Sequence, residues 1–162
     1  MNNRIPYNPS IIEPKWQKKW KDSKIYNVDL DSKNKENYFS LTMFPYPSGD
    51  LHIGHWYAFT PADSYSRFKK MKGFNVLHTQ GFDAFGLPAE NAAISRNINP
   101  MKWTFDNIDN MRGQFNLMGN SYDWSRELIT CTPEYYKWNQ FFFLKMYEKG
   151  IAYRKNGAVW WD

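Results

Sequence analysis

The sequence predicts an α/β fold built around a parallel βαβ unit with flanking helices. Residues 38–44 form a largely apolar run, as a buried parallel strand requires, and a helical pattern follows it as far as Gly73. Residues 75–80 make a second such run, and another helical pattern starts from Pro88, giving strand, helix, strand, helix. Both runs end in segments carrying glycine, proline and polar side chains, and ligands of such sheets sit at the carboxyl ends of the strands.

Residues 11–23 are expected as a helix entered through Ser10 as N-cap, with Trp16 and Trp20 on one face and lysines around the other. Residues 31–37 are wholly polar and make a loop before the first strand. Pro61 falls inside the next helical pattern, where proline removes a hydrogen bond and clashes one turn back. Thr60-Pro61-Ala62-Asp63 instead spells an N-cap, a first-position proline and a first-turn acid. The expectation is a short turn after His55, a kink or restart near Thr60, and Gly73 as the C′ residue.

Thr104 is expected to open the following helix, with Phe105, Ile108, Met111, Phe115 and Met118 on one core-facing stripe and Gly119 closing it. Thr132-Pro133-Glu134 starts the last helix, apolar over a wide face (Tyr136, Trp138, Phe141, Phe142, Leu144) and ending at Gly150. Residues 151–155 and 158–161, joined by Asn156-Gly157, are expected as a hairpin with a type I′ turn. The division is thus 1–150 for the α/β body and 151–162 for the start of a β-ribbon.

A chain of 162 residues suits one domain. Its net charge of +5 fits an anionic partner such as nucleotide or RNA, and equally a lysine-rich solvated surface. The single cysteine makes no internal disulfide, so a reducing, cytoplasmic setting is expected. No long uncharged apolar run is present, and no membrane partner is expected. Aromatic residues make up 19% of the chain, a surplus over core needs that can mark surfaces for further parts of a larger protein.

The most informative segment is Met43-Phe44-Pro45-Tyr46-Pro47-Ser48-Gly49-Asp50-Leu51-His52-Ile53-Gly54-His55. It stands where a strand hands over to a helix. Helix N-termini offer unpaired N–H groups and partial positive charge, imidazoles donate to phosphate oxygens, and glycine permits close approach. His-x-x-His alone could also be a metal pair or two surface histidines. Metal is the poorer reading, because no Cys/His cluster completes a tetrahedral set, and no metal ligand is assigned.

The full string resembles the HIGH signature of class I aminoacyl-tRNA synthetases, and Phe44-Pro45-Tyr46-Pro47-Ser48-Gly49 matches its leucyl form. Gly81-Phe82-Asp83-Ala84-Phe85-Gly86-Leu87-Pro88-Ala89-Glu90-Asn91, Ser121-Tyr122-Asp123-Trp124-Ser125-Arg126-Glu127 and Glu134-Tyr135-Tyr136-Lys137-Trp138-Asn139-Gln140 resemble the same family. The resemblance implies the N-terminal part of a leucyl-tRNA synthetase catalytic domain, the first half of a Rossmann-like nucleotide-binding fold. It implies leucine–tRNA ligase activity, with ATP as substrate, Mg2+ accompanying ATP, and leucine and tRNA(Leu) as partners. Pro45, Ser48, Gly49, His52, Gly54 and His55 are then the ATP-binding residues. His52 and His55 stabilise the phosphates as catalytic groups, and Gly54 makes room for the adenine. Met43, Phe44, Tyr46 and Asp83 form the leucine site, Asp83 holding the amino group.

Glu90 is expected to be structural, Asp50 a solvated loop carboxylate and Cys131 a small buried residue. Val159-Trp160-Trp161-Asp162 departs from the Val-Asn-Trp-Cys run with which the family begins its zinc ligands, so no zinc site is expected in this segment. Family members are several times longer. The chain is therefore expected to be an N-terminal fragment, truncated product or split gene piece, inactive until a C-terminal half, on a separate chain if so encoded, completes it. The alternative is a non-catalytic nucleotide-binding or interaction module; another class I nucleotidyl transferase is disfavoured by the Phe-Pro-Tyr-Pro string.

Overall fold

The structure, a computed structural model, describes residues 6–158 and residue 160. The elements run in the order α1 (Pro9–Asp22), β1 (Asn37–Ser40), α2 (Ile53–Met71), β2 (Asn75–His78), β3 (Gly81–Phe82), α3 (Leu87–Ser95), α4 (Pro100–Met118), β4 (Leu128–Ile129) and α5 (Pro133–Glu148). A short 3-10 turn, Trp124–Arg126, precedes β4.

The expected parallel unit is present. β1 pairs with β2 from Asn37 opposite Asn75 to Ser40 opposite His78, and α2 makes the crossover. Both strands are shorter than the apolar runs suggest. After Ser40 the chain leaves β1 as an extended loop, and Pro45 and Pro47 have no N–H for a ladder. Beyond His78 the chain changes partner: Gln80 accepts from the Leu128 backbone N–H at 3.3 Å, and β3 then pairs in parallel with β4. Gly81 permits this. A Cβ there would stand 2.5 Å from the Leu128 carbonyl oxygen and 3.0 Å from Cζ of Phe44.

Three helix starts differ from expectation. α1 begins at Pro9 behind Asn8, with proline at the first helical position rather than Ser10 as cap. α4 begins at Pro100, four residues before Thr104, because the Asn99 side chain accepts from the backbone N–H groups of Met101 (2.9 Å) and Lys102 (3.2 Å). α2 runs unbroken through Pro61. The bond lost there is to the Tyr57 carbonyl, and Tyr57 and Pro61 are both exposed, on the solvent side of the helix where such a loss is tolerated. Thr60 is thus no cap. Gly73 and Gly119 close their helices in the left-handed region as expected, at φ 92° and 71°.

The core lies where α2, α4, β3 and the segment before β4 meet: Phe59, Phe82, Ala84, Ile108, Met111, Phe115 and Tyr122 are buried together. The α4 stripe holds as expected, with Ile108, Met111 and Phe115 buried and Phe105 and Met118 partly buried against them. Phe115 sits 5.4 Å from Phe59 and edge-on to Tyr122 at 5.7 Å.

A polar network beside that core was not foreseen from sequence. The Asp63 carboxylate accepts from the Ser121 N–H and hydroxyl, both at 2.6 Å, and from Arg67 Nε at 2.8 Å. Arg67 in turn donates to the Tyr26 hydroxyl and the Gly119 carbonyl. His78 Nδ1 lies 3.2 Å from the Ser121 hydroxyl, and burial pushes its pKa down to about 4. Its 3.8 Å approach to Asp63 is therefore that of a neutral ring, not an ion pair.

α5, apolar over a wide face, contributes no buried side chain. Trp138, Phe141, Phe142, Phe143 and Leu144 are all exposed. No strand forms over residues 151–158, so the expected ribbon is absent from its described part. A lone two-stranded hairpin is marginal without a sheet or helix to cover it. Residues 159 and 161 of the expected second strand, and residue 162 after it, lie outside the described residues.

Candidate active site

The loop from residue 41 to His52 leaves the carboxyl end of β1 and is tied at two places. Asp83, just past β3, donates its backbone N–H to the Pro45 carbonyl at 3.0 Å, joining the two strand tips. Farther along, Asp50 is exposed on the loop, as expected, and its carboxylate is also tied to α4. Its Oδ1 accepts from Asn110 Nδ2 at 2.7 Å and from Gln114 Nε2 at 2.8 Å, both on α4. Gln114 Oε1 also accepts from the Leu51 N–H at 2.7 Å.

His52 is the N-cap of α2, in extended conformation. Its Nδ1 accepts from the Gly54 N–H at 3.1 Å, and His55 Nδ1 accepts from the His52 N–H at 3.1 Å. The two imidazoles thus play the parts usually taken by Ser and Glu in a capping box. Each Nδ1 is an acceptor, so each neutral ring carries its proton on Nε2, leaving that N–H as a donor. The ring centroids are 4.0 Å apart. Burial, reinforced by His52, lowers the His55 pKa, which keeps that ring neutral at physiological pH. Gly54 has a duty toward the protein itself: a Cβ there would stand 2.9 Å from His52 Cε1, so glycine admits the ring that caps the helix.

Asp83 faces a cavity of about 340 Å³ lined also by Tyr46, Pro47, Ser48, Phe85 and Gly86. The Thr130 hydroxyl ties its carboxylate to β4, donating to Asp83 Oδ1 at 3.3 Å while accepting from the Ala84 N–H at 2.8 Å. Tyr46 and Asp83, both expected at the leucine site, share this lining with Ser48, expected at the ATP site. Met43 and Phe44 are not in this lining. Met43 is 75% exposed, and Phe44 is half-buried with its ring tip close to Gly81.

His52 lines a different cavity of about 310 Å³ with Leu51, Ile53, Trp56, Gln114 and Met118. Pro45 is buried under the loop, while Gly49 has open space around it. Among the described residues no group of three or more His, Cys, Asp or Glu could hold a metal ion.

The segment from Ser121 to Glu127 braces the site from behind. Asp123 is buried and accepts from the N–H groups of Val28 (2.9 Å) and Ser125 (3.0 Å). Glu127 takes Arg112 of α4 in a two-bond fork at 2.8 and 2.9 Å. Glu90 is exposed on α3, and Cys131 is partly buried, with burial raising its pKa. Asn110 and Gln114 were missed in the sequence. Their one signal was a pair of polar residues four apart beside an otherwise apolar stripe.

Comparison with known proteins gives a consistent picture. The family model for tRNA synthetases class I (I, L, M and V) matches residues 15–162. The leucine–tRNA ligase of Rubrobacter xylanophilus is 55% identical over 98% of this chain, and that of Dehalococcoides mccartyi is 57% identical over 96%. The chain spans 19% of the length of each of these relatives. Among solved structures, the Agrobacterium radiobacter K84 agnB2 LeuRS in its ternary complex LeuRS-tRNA-LeuAMS superposes with a TM-score of 0.83 at 41% identity, covering 90% of this chain and 19% of that one. Mycobacterium tuberculosis methionyl-tRNA synthetase in complex with methionyl-adenylate shares the fold, with a TM-score of 0.67 at 23% identity over 71% of this chain and 22% of that one.

Proposed function

Because the chain belongs to the class I tRNA synthetases (I, L, M and V), we propose that it carries the first half of the leucine-activating site of a leucine–tRNA ligase. The observation that carries this reading is the histidine pair: two imidazoles held at a helix N-terminus, each with Nδ1 occupied and Nε2–H left to donate. The identity of 55% and 57% to leucine–tRNA ligases supports leucine as the amino acid.

In the proposed reaction a leucine carboxylate oxygen attacks the α-phosphorus of ATP. A P–O bond to leucine forms, the bond to the bridging α–β oxygen breaks, and pyrophosphate leaves with that electron pair. No proton has to be moved, so catalysis rests on donors placed where negative charge accumulates. His52 and His55 supply neutral N–H donors at the positive end of α2. Pro45, Ser48, Gly49 and Gly54 shape the loop around the triphosphate. Asp83 accepts the leucine ammonium in the cavity beside Tyr46, with Met43 and Phe44 closing the amino-acid site once the loop is occupied. The adenylate is then passed to tRNA(Leu).

The remainder of a leucine–tRNA ligase, in the same polypeptide or as a separate chain, is the partner required for this activity. The single cysteine supports a reducing, cytoplasmic setting, and no described helix is long and apolar enough to cross a membrane. Leucine-dependent ATP–pyrophosphate exchange, assayed with Mg2+ after adding the remainder of a leucine–tRNA ligase, tests the proposal. Exchange that needs both parts and leucine is the expected result. A folded complex that binds ATP yet gives no leucine-dependent exchange would overturn it in favour of a non-catalytic module.

A further inference from the structure

We propose that Gln114 of α4 is a positioning residue for the histidine pair, acting as a clamp on the two residues that precede it. The inference deepens the phosphate-site reading and rests on it for its functional meaning. One amide serves both neighbours of the helix start. Its Oε1 accepts from the Leu51 N–H at 2.7 Å and its Nε2 donates to Asp50 Oδ1 at 2.8 Å, with Asn110 holding the same carboxylate oxygen at 2.7 Å.

The chain passes from these anchors directly into His52, whose N–H is the donor that fixes the His55 ring. A peptide at the tip of an exposed loop would otherwise be free to rotate, and a rotated His52 N–H no longer meets His55 Nδ1. α4 is a suitable anchor because Met111 and Phe115, on either side of Gln114 in the helix, are buried in the core. Gln114 therefore transmits the rigidity of the core to the two imidazoles without touching them. It also lines the cavity beside His52, so its amide is sensitive to whatever occupies that space.

The chain has only three histidines, and the third, His78, lies in the separate Asp63 network. Ring nitrogen NMR on the whole chain can follow all three. In the wild-type protein, His52 and His55 should each show one protonated and one unprotonated nitrogen, the signature of a fixed tautomer. Gln114→Ala should collapse that separation toward a common average at His52 and His55 and leave His78 unchanged. Gln114→Glu keeps an acceptor for Leu51 but sets a carboxylate against Asp50, and should do the same. Asp50→Asn combined with Gln114→Glu restores a donor opposite an acceptor and should restore the signature.

Unchanged signatures at His52 and His55 in Gln114→Ala would overturn the clamp. So would disturbance of all three histidines that the Asp50→Asn/Gln114→Glu pair fails to repair, since that would assign Gln114 to general packing. Inorganic pyrophosphate added to the wild-type chain, isotope-labelled at histidine and completed by the unlabelled remainder of a leucine–tRNA ligase, separates the two ideas. Shifts confined to His52 and His55 support the phosphate reading, whereas their absence removes that reading and leaves the tautomer result to stand alone.

Discussion

Asp63 and Ser121, 58 residues apart, are joined twice: one carboxylate oxygen takes both the backbone N–H and the hydroxyl of Ser121, each at 2.6 Å. The pair locks the middle of α2 to the segment that follows α4, and Arg67 adds a third bond to the same carboxylate. Removing the carboxylate strands a buried N–H and the partner of a guanidinium. Asp63→Ala should cost about 3 kcal/mol, measured by urea unfolding. A loss below about 1 kcal/mol would show that water replaces the carboxylate at no great cost.

His78 gives this network a pH dependence of known sign. Its folded pKa is depressed to about 4 from an ordinary value of 6.5, mainly by burial. Between those values the unfolded chain binds the extra proton, so stability is fully present above about pH 6.5 and is lost as pH falls toward 4. His55, also lowered by burial, acts in the same direction. The His78 share amounts to about 3 kcal/mol over the window. Urea unfolding at pH 7 and pH 4 should show a smaller loss for His78→Gln than for wild type. Equal losses would mean that the ring titrates normally.

Gly54 separates folding from ligand chemistry. By helix propensity alone Gly54→Ala should be neutral or stabilising by up to about 1 kcal/mol. A Cβ there would collide with His52 Cε1 at 2.9 Å and turn the ring off its cap. The variant should keep its thermal midpoint while pyrophosphate exchange in the completed enzyme falls by about tenfold or more, the scale of one misplaced transition-state donor. A matched loss of both would make the glycine a purely structural requirement.

Gly81→Ala should do the reverse. Its Cβ would meet the Leu128 carbonyl oxygen at 2.5 Å, a backbone atom that cannot swing aside as a side chain can, and would also stand 3.0 Å from Leu128 Cβ and Phe44 Cζ. A destabilisation of about 1–3 kcal/mol is expected by urea unfolding, as for other overpacked sites. An unchanged midpoint would mean that β3 and β4 can separate freely.

Asp83→Ala should act on one substrate only. Losing a charge-assisted contact to an ammonium group, worth about 1.5–3 kcal/mol, should raise the KM for leucine about ten- to a hundredfold. The KM for ATP in the same exchange assay should stay within about twofold, because the triphosphate donors are on another loop. Equal losses for both substrates would give Asp83 a structural role through Thr130 and Pro45.

What the sequence made legible was local. The βαβ order, the stripe from Ile108 to Phe115, the glycine stops at 73 and 119 and the histidine string all follow from spacing over a few residues. What it hid was set by distant partners. Pro61 was misread as a helix start because its tolerance depends on the solvent exposure of Tyr57. β2 was drawn too long because residues 79–82 leave β1 for a strand some fifty residues later. The tie of the exposed Asp50 carboxylate to α4 is hidden because Asn110 and Gln114 are 60 and 64 residues away. The contact of Phe44 with Gly81, where a Cβ would stand 3.0 Å from the ring's Cζ, is likewise set by the fold and not by neighbours in sequence.

The unburied face of α5 has a consequence for the life of this chain in a cell. Trp138, Phe141, Phe142, Phe143 and Leu144 present to water the kind of contiguous apolar surface that folding machinery and proteases survey. Wherever that helix is uncovered, holdase chaperones compete for its surface by mass action, and turnover then responds to that exposure as well as to the global free energy of folding. Under that condition a change on α5 would be felt first in supply and turnover rather than in catalytic rate.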